Sequence, residues 1–187
     1  MRIVTQNDLI HELQSGLKEP NRISIVDYTE SQVNYGFDAK PNFEYCKQHN
    51  IPCIDIGRRG GAFVVNKGDV GLGAVMKGFT NKVGELISSN FLQYLKDKGL
   101  DATYENNDIL INGYKVYGWD SHYYKDYDAM FITCHFTMSV NIDLIKAICT
   151  KPMNKVPKGL SEYGITQQEI KDLIIRSCEY ENLTSKS

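Results

Sequence analysis

The sequence has no CxxC pair, although it holds five cysteines, Cys46, Cys53, Cys134, Cys149 and Cys178. An odd count without metal-ligand spacing argues against a disulfide framework and against a structural zinc site, so small buried core residues are expected. No apolar run approaches the roughly 18 residues that a membrane-spanning helix needs. The opening MRIVTQNDLIHELQ puts polar side chains where a secretory signal would be apolar. The expected location is the cytoplasm, with no membrane partner. An excess of one charge is also missing, since 21 Lys+Arg stand against 23 Asp+Glu. Nucleic acid is therefore not an expected partner. GxGxxG, GxxxxGK[ST], GxSxG and HExxH are all absent, which removes support for Rossmann, P-loop, nucleophile-elbow and zincin sites. There is no internal repeat, low-complexity linker or clear domain boundary.

What is present fits one domain over residues 1–187, with a frayed tail at 182–187. A hydrophobic share of 42% in a chain of this length can fill a sizeable core. Apolar spacing predicts a first helix over 5–17 capped by Thr5, then strands in RISIVDY, VNYGF and PCIDI with a short helix opened by Pro41 between the last two. Residues 80–98 form a long amphipathic helix stopped by Gly99. NDILI and YKVYG flank Asn112-Gly113, a pair suited to the positive φ angles of a tight hairpin turn. A long strand is expected over 129–142, then a short DLIKAI helix, and Thr166 with Glu169 forms a capping box for a final helix. Many strands interrupted by a few helices predict an α+β, mixed-sheet α/β sandwich rather than a doubly wound sheet.

Residues 57–73, GRRGGAFVVNKGDVGLG, concentrate six of the fifteen glycines around a β-branched run. Arg58 and Arg59 entering Gly60 and Gly61 could set guanidinium and backbone N–H donors around a carboxylate or phosphate, or could form a solvated turn. Lys115 on the returning hairpin strand reads either as a fixed cation reaching a phosphate or carbonyl, or as an outward lysine. Alternation cannot choose, because the hairpin's buried face is not known from sequence. His135 reads as a core or sheet-edge histidine or as a site residue, and neighbouring Cys134 points to the opposite face, so the two form no thiolate-imidazole pair. Six aromatic residues between Tyr114 and Tyr127 suit either a ligand cleft or ordinary sheet packing.

Taken in order, four blocks resemble the catalytic domain of lipoate-protein ligases, within the wider superfamily of class II biotin/lipoate ligases and octanoyltransferases. VNYGFDAKPNFEYCKQHNIP is similar to the segment before the family's arginine motif, and IGRRGGAFV to a shortened RRxSGGGAV block. NDILINGYKVYG resembles the NDL, turn, GxKxxG block with Lys115 as its lysine, and HFTMSVNIDLIKAI the HGTLLLNxDLxxL block. KVPKGLSEYGITQQEI is similar to a cut-down tail segment, so the resemblance spans Ile23 to Ile170. The Ser-Gly pair between RR and GGA is missing, Val64-Val65-Asn66-Lys67 stand where the family has His-Asp, and Phe136 stands where it has glycine.

The resemblance implies an acyl-protein ligase that joins a small carboxylic acid (lipoate, octanoate or biotin) to ATP, with Mg2+, as an acyl-adenylate. A lysine of a lipoyl or biotinyl carrier domain then attacks. It implies adenylate or substrate binding by Arg58, Arg59, Gly60, Gly61, Ala62, Asp108 and His135, a catalytic contact to phosphate and acyl carbonyl by Lys115, and no protein-bound metal site. Lys40, Lys47 or Lys67 could rim the surface that meets an acidic carrier, or could equally be solvated surface lysines. Two alternatives remain beside the ligase: an ATP-independent acyltransferase, through Cys134 or Cys149 or by direct attack of the acceptor lysine, and a non-catalytic ligand-binding homologue.

Overall fold

The computed structural model describes residues 1–5, 15–57, 60–151 and 153–184. Its strands in chain order are β1 (Arg2–Thr5), β2 (Arg22–Asp27), β3 (Gln32–Tyr35), β4 (Cys53–Asp55), β5 (Ala62–Val65), β6 (Val70–Lys77), β7 (Ala102–Glu105), β8 (Asp108–Ile111), β9 (Tyr114–Tyr124) and β10 (Ala129–Phe136). The helices are α1 (Phe43–Gln48), α2 (Lys82–Asp97), α3 (Ile142–Ile148) and α4 (Gln167–Thr184). Seven strands form one sheet in the order β1-β2-β6-β10-β9-β8-β7, and β4-β3-β5 form a smaller one. Both are mixed: β1 runs parallel to β2 and β3 parallel to β4, while the remaining ladders are antiparallel.

Period-two alternation assigns the faces of the large sheet. Ile25, Leu72, Ala74, Ile132, Cys134, Phe136, Tyr117 and Trp119 point to one side, where they share a core with Val83, Ile87, Phe91 and Leu95 of α2 and Ile170, Leu173 and Ile174 of α4. Phe91, Tyr117 and Phe136 meet there with ring centroids 4.7–5.6 Å apart. At Gly84 of α2 a Cβ would lie 2.5 Å from the Trp119 ring, so glycine is what lets the helix approach β9 this closely. The smaller sheet packs Val33 and Val64 with Cys46, Ile145 and Ile148, which fixes α1 and α3 against it.

Three elements differ from the sequence reading. Thr5 closes β1, paired with Asp27 through the parallel ladder to β2, instead of capping a helix. Residues 15–18 are helical, and the rest of that expected helix, 6–14, is outside the described residues. The strand expected over 129–142 ends at Phe136, because the amides of Met138 and Ser139 turn to the Asp69 carboxylate at 2.7 and 3.4 Å. The tail expected at 182–187 overlaps the last turn of α4, with 185–187 outside the described residues.

The capping box at α4 is formed. The Thr166 amide and hydroxyl donate to Glu169 Oε2 at 2.8 and 2.9 Å, while Lys98 Nζ and the Tyr94 hydroxyl donate to Oε1 at 2.8 and 3.0 Å. Lys98 first, then the Thr166 donors, hold the Glu169 carboxyl down from 4.5 to about 2. A depressed folded value means that this stabilisation is complete above the ordinary range and is lost as pH falls from about 4.5 toward about 2. Glu169→Gln should therefore destabilise the protein at neutral pH, with the gap from the parent closing over that window in urea titrations. A gap of constant size from pH 7 to pH 3 would refute the linkage.

Candidate functional site

A β-bulge decides where Lys115 points. In the β8–β9 ladder, Ile109 pairs with Tyr117 but Leu110 pairs with Lys115, so Val116 is an extra residue with no partner opposite. The insertion puts Val116 and Tyr117 both into the core, each fully buried. Lys115 and Gly118 then share the other face although they are three residues apart. Asp108, paired with Gly118, and His135, also paired with Gly118 across β10, lie on that same face.

This face and the small sheet bound a cavity of about 640 Å³. Gly60, Gly61, Ala62, Asp108, Lys115 and His135 all line it. The structure thus gathers every candidate residue except Arg58 and Arg59, which are outside the described residues. Gly60 has φ +151°, favouring glycine, and its amide donates to Asp38 Oδ2 at 2.9 Å while its carbonyl accepts from the Asp38 amide at 3.1 Å. At Gly61 a Cβ would meet nothing within 4 Å, so the backbone there faces open space. Ile54, Ile56, Val140, Ile145 and Met153 make part of the wall apolar.

The Lys115 ammonium lies 2.7 Å from Asp108 Oδ1, and Lys155 Nζ lies 3.1 Å from Asp108 Oδ2. Lys155 also donates to the Glu105 carbonyl at 3.1 Å. It arrives on a strap that flanks β9: the Lys115 amide donates to the Val156 carbonyl and the Lys158 amide to the Lys115 carbonyl, each at 2.9 Å. Gly118 makes the cluster possible, since a Cβ there would stand 2.7 Å from Asp108 Oδ1 and 3.0 Å from Lys115 Nζ.

His135 is held by Asp69. Its Nε2–H donates to Asp69 Oδ2 at 2.9 Å, and that fully buried carboxylate also accepts from the amides of Asn66 at 2.8 Å and Met138 at 2.7 Å. The ring sits edge-on to Tyr28, with centroids 6.0 Å apart, and tilted to Phe63 at 6.1 Å. Phe136, the bulky residue after it, points into the core and leaves the cavity untouched. Burial of Tyr28, reinforced by Asp69, pushes its hydroxyl well above the usual range, so it serves as a neutral hydrogen-bonding group.

The thiols are poorly placed for nucleophilic work, which favours a depressed pKa. Burial pushes Cys134 up to about 12 and Cys53 to about 11, and burial also raises Cys149, whose Sγ contacts the Ala62 carbonyl at 3.5 Å. Asp69 and Lys155 were not legible as site residues. Asp69 stands in an ordinary-looking NKGD turn, and Lys155 in a polar connector whose only signal was its place in a family-like tail block.

No protein-family profile and no curated protein sequence matches the chain. Solved structures do. P. falciparum LipL1 in complex with lipoate superposes with TM-score 0.75 at 14% identity, covering 100% of this chain and 61% of that one. The bipartite lipoate protein ligase from Thermoplasma acidophilum, studied with its E2 lipoyl domain, gives 0.69 at 15% identity over 94% and 80%. A lipoate-protein ligase A bound with ATP gives 0.69 at 16% over 94% and 81%. At such identities the likeness establishes the fold.

Proposed function

Starting from a divergent domain with the lipoate-protein ligase-like fold, we propose that this protein activates a small carboxylic acid with ATP and transfers the acyl group to a lysine of a carrier domain. The acid's carboxylate would attack the α-phosphorus with release of pyrophosphate. The acceptor amine would then attack the acyl carbonyl with release of AMP. The observation that carries the reading is that Lys115, His135 and the open backbone of Gly61 line one and the same cavity.

In this reading the chain's own groups bind and orient. The apolar wall of Ile54, Ile56, Val140 and Ile145 takes the acid's tail. The amide edge at Gly61 lets a ligand lie against the backbone. Lys115 supplies an ammonium to the phosphate and acyl oxygen, where charge grows in the transition state. His135, fixed by Asp69, presents its ring to the same space. Arg58 and Arg59 are assigned to the acid and phosphate on motif position alone.

Among the described residues no group of three or more His, Cys, Asp or Glu is gathered to hold a metal. Asp108 is already shared by two ammonium groups. The described residues thus gather no all-protein cage for a metal, and a magnesium ion would enter with the triphosphate as part of the substrate, so no step is assigned to it.

The decisive measurement is acid-dependent ATP-pyrophosphate exchange with lipoate, octanoate and biotin offered separately. Exchange with one of them supports the reading and identifies the acid; folded protein that exchanges with none refutes it. A cysteine relay is disfavoured by the raised thiols. Cys134→Ala and Cys149→Ala proteins should keep acyl transfer to within about threefold, whereas a roughly hundredfold loss in either would restore the thioester route.

A further inference from the structure

One carboxylate facing two ammonium groups is an unequal arrangement. Asp108 is 17% exposed, Lys155 19% and Lys115 38%. Lys155 is tied down to Asp108, to the Glu105 carbonyl and, at 3.9 Å, to the exposed Glu105 carboxylate, and its strap is pinned on both sides of Lys115 by backbone hydrogen bonds. Among the described residues, Lys115 has Asp108 as its one carboxylate partner. Gly118 leaves free the volume beside Nζ that any side chain would fill.

We propose that Lys155 is a positioning residue: it is the counter-cation that lets Lys115 exchange Asp108 for an anionic ligand. This rests on Lys115 being the ligand-facing cation of the reading above. Were Asp108 paired with Lys115 alone, moving that ammonium to a ligand would leave a half-buried carboxylate with no partner, which is strongly unfavourable. With Lys155 fixed on the second oxygen, Asp108 remains paired throughout. Lys115 swings between two anions while Asp108 and Lys155 hold still. Neither Asp108 nor Lys155 needs to touch the ligand for this to work.

The exchange predicts a rescue that a direct contact would not. The probe is 5′-O-(N-octanoylsulfamoyl)adenosine, an unreactive acyl-adenylate mimic, titrated calorimetrically into the full chain. Lys155→Met should weaken binding by about tenfold or more, because Lys115 becomes the sole cation on Asp108. Asp108→Asn added to that variant should recover most of the loss, and Lys155→Arg should bind nearly as the parent does. Failure of Asp108→Asn to rescue would mean that Lys155 contacts the ligand itself, and would overturn the proposal, as would unchanged binding in Lys155→Met.

A ligand-free arm separates this idea from the adenylation reading. Acetic anhydride is attacked by the neutral amine, so a lysine held on a carboxylate of its own, which must leave that pair and give up a proton to water first, is acylated more slowly than one sharing the carboxylate. Trace labelling with acetic anhydride should therefore slow at Lys115 in Lys155→Met and speed up again once Asp108→Asn is added. That pattern in a protein that does not bind the mimic would uphold the exchange and discard adenylation alone. Identical Lys115 labelling in parent and Lys155→Met would discard the exchange.

Discussion

Lys115→Ala is expected to lower acid-dependent pyrophosphate exchange by about 10²–10³-fold, the range seen when one preorganised donor to a developing charge is removed. The fold should survive. The side chain is 38% exposed, and its loss does not strand Asp108, which keeps Lys155 at 3.1 Å. Backbone pairing of residue 115 to the strap does not depend on the side chain. The substitution is thus a clean probe: thermal unfolding near that of the parent with activity gone identifies the lysine with the chemistry. Full exchange by a folded Lys115→Ala protein would remove the role assigned to it.

Asp69→Ala should act on the opposite quantity. The carboxylate is fully buried and accepts from the amides of Asn66 and Met138 and from the His135 ring. Alanine leaves these three donors without their acceptor, at a cost of about 3–5 kcal/mol on the scale of roughly 1–3 kcal/mol for each buried donor left unsatisfied. That is a large share of the roughly 5–15 kcal/mol by which a domain is stable. Urea unfolding measures it, and a loss below about 1 kcal/mol would show that water or relaxation replaces the carboxylate. Asp69 thereby joins the turn before β6 to the end of β10 while it orients His135, so scaffold and site share one side chain.

What could be read from the sequence follows from the range of the forces involved. The Asn112-Gly113 hairpin, the α2 stripe and the Thr166–Glu169 box are local, and each stands where its spacing put it. The facing of Lys115 was not local. It depends on a one-residue bulge at Val116, next to which Tyr117 packs against Phe91 and Phe136, and no pattern in YKVYG encodes it. Asp69 and Met138 are bonded across a sequence gap that no periodicity spans. The same bond ends β10 early, which is why an unbroken β-rich run overstated that strand. Lys155 reaches Asp108 only because the strap lies beside β9, a tertiary fact that its polar neighbours conceal.

The order of strands also dictates the order in which this cavity can come into being. β7, β8, β9 and β10 are consecutive in the chain and adjacent in the sheet, so they form a meander closed by short turns. Such local pairings form ahead of those that must first close a long loop. Lys115, Asp108, Gly118 and His135 all belong to that meander, whereas Gly60, Gly61 and Phe63 reach them only after β6 has paired with β10 across the length of α2 and three strands. The Lys115–Asp108 pair is therefore expected to form before there is a pocket around it, with Lys155 joining only when its strap docks beside β9. A ligand spanning both walls can stabilise the finished molecule by mass action but cannot template its early assembly.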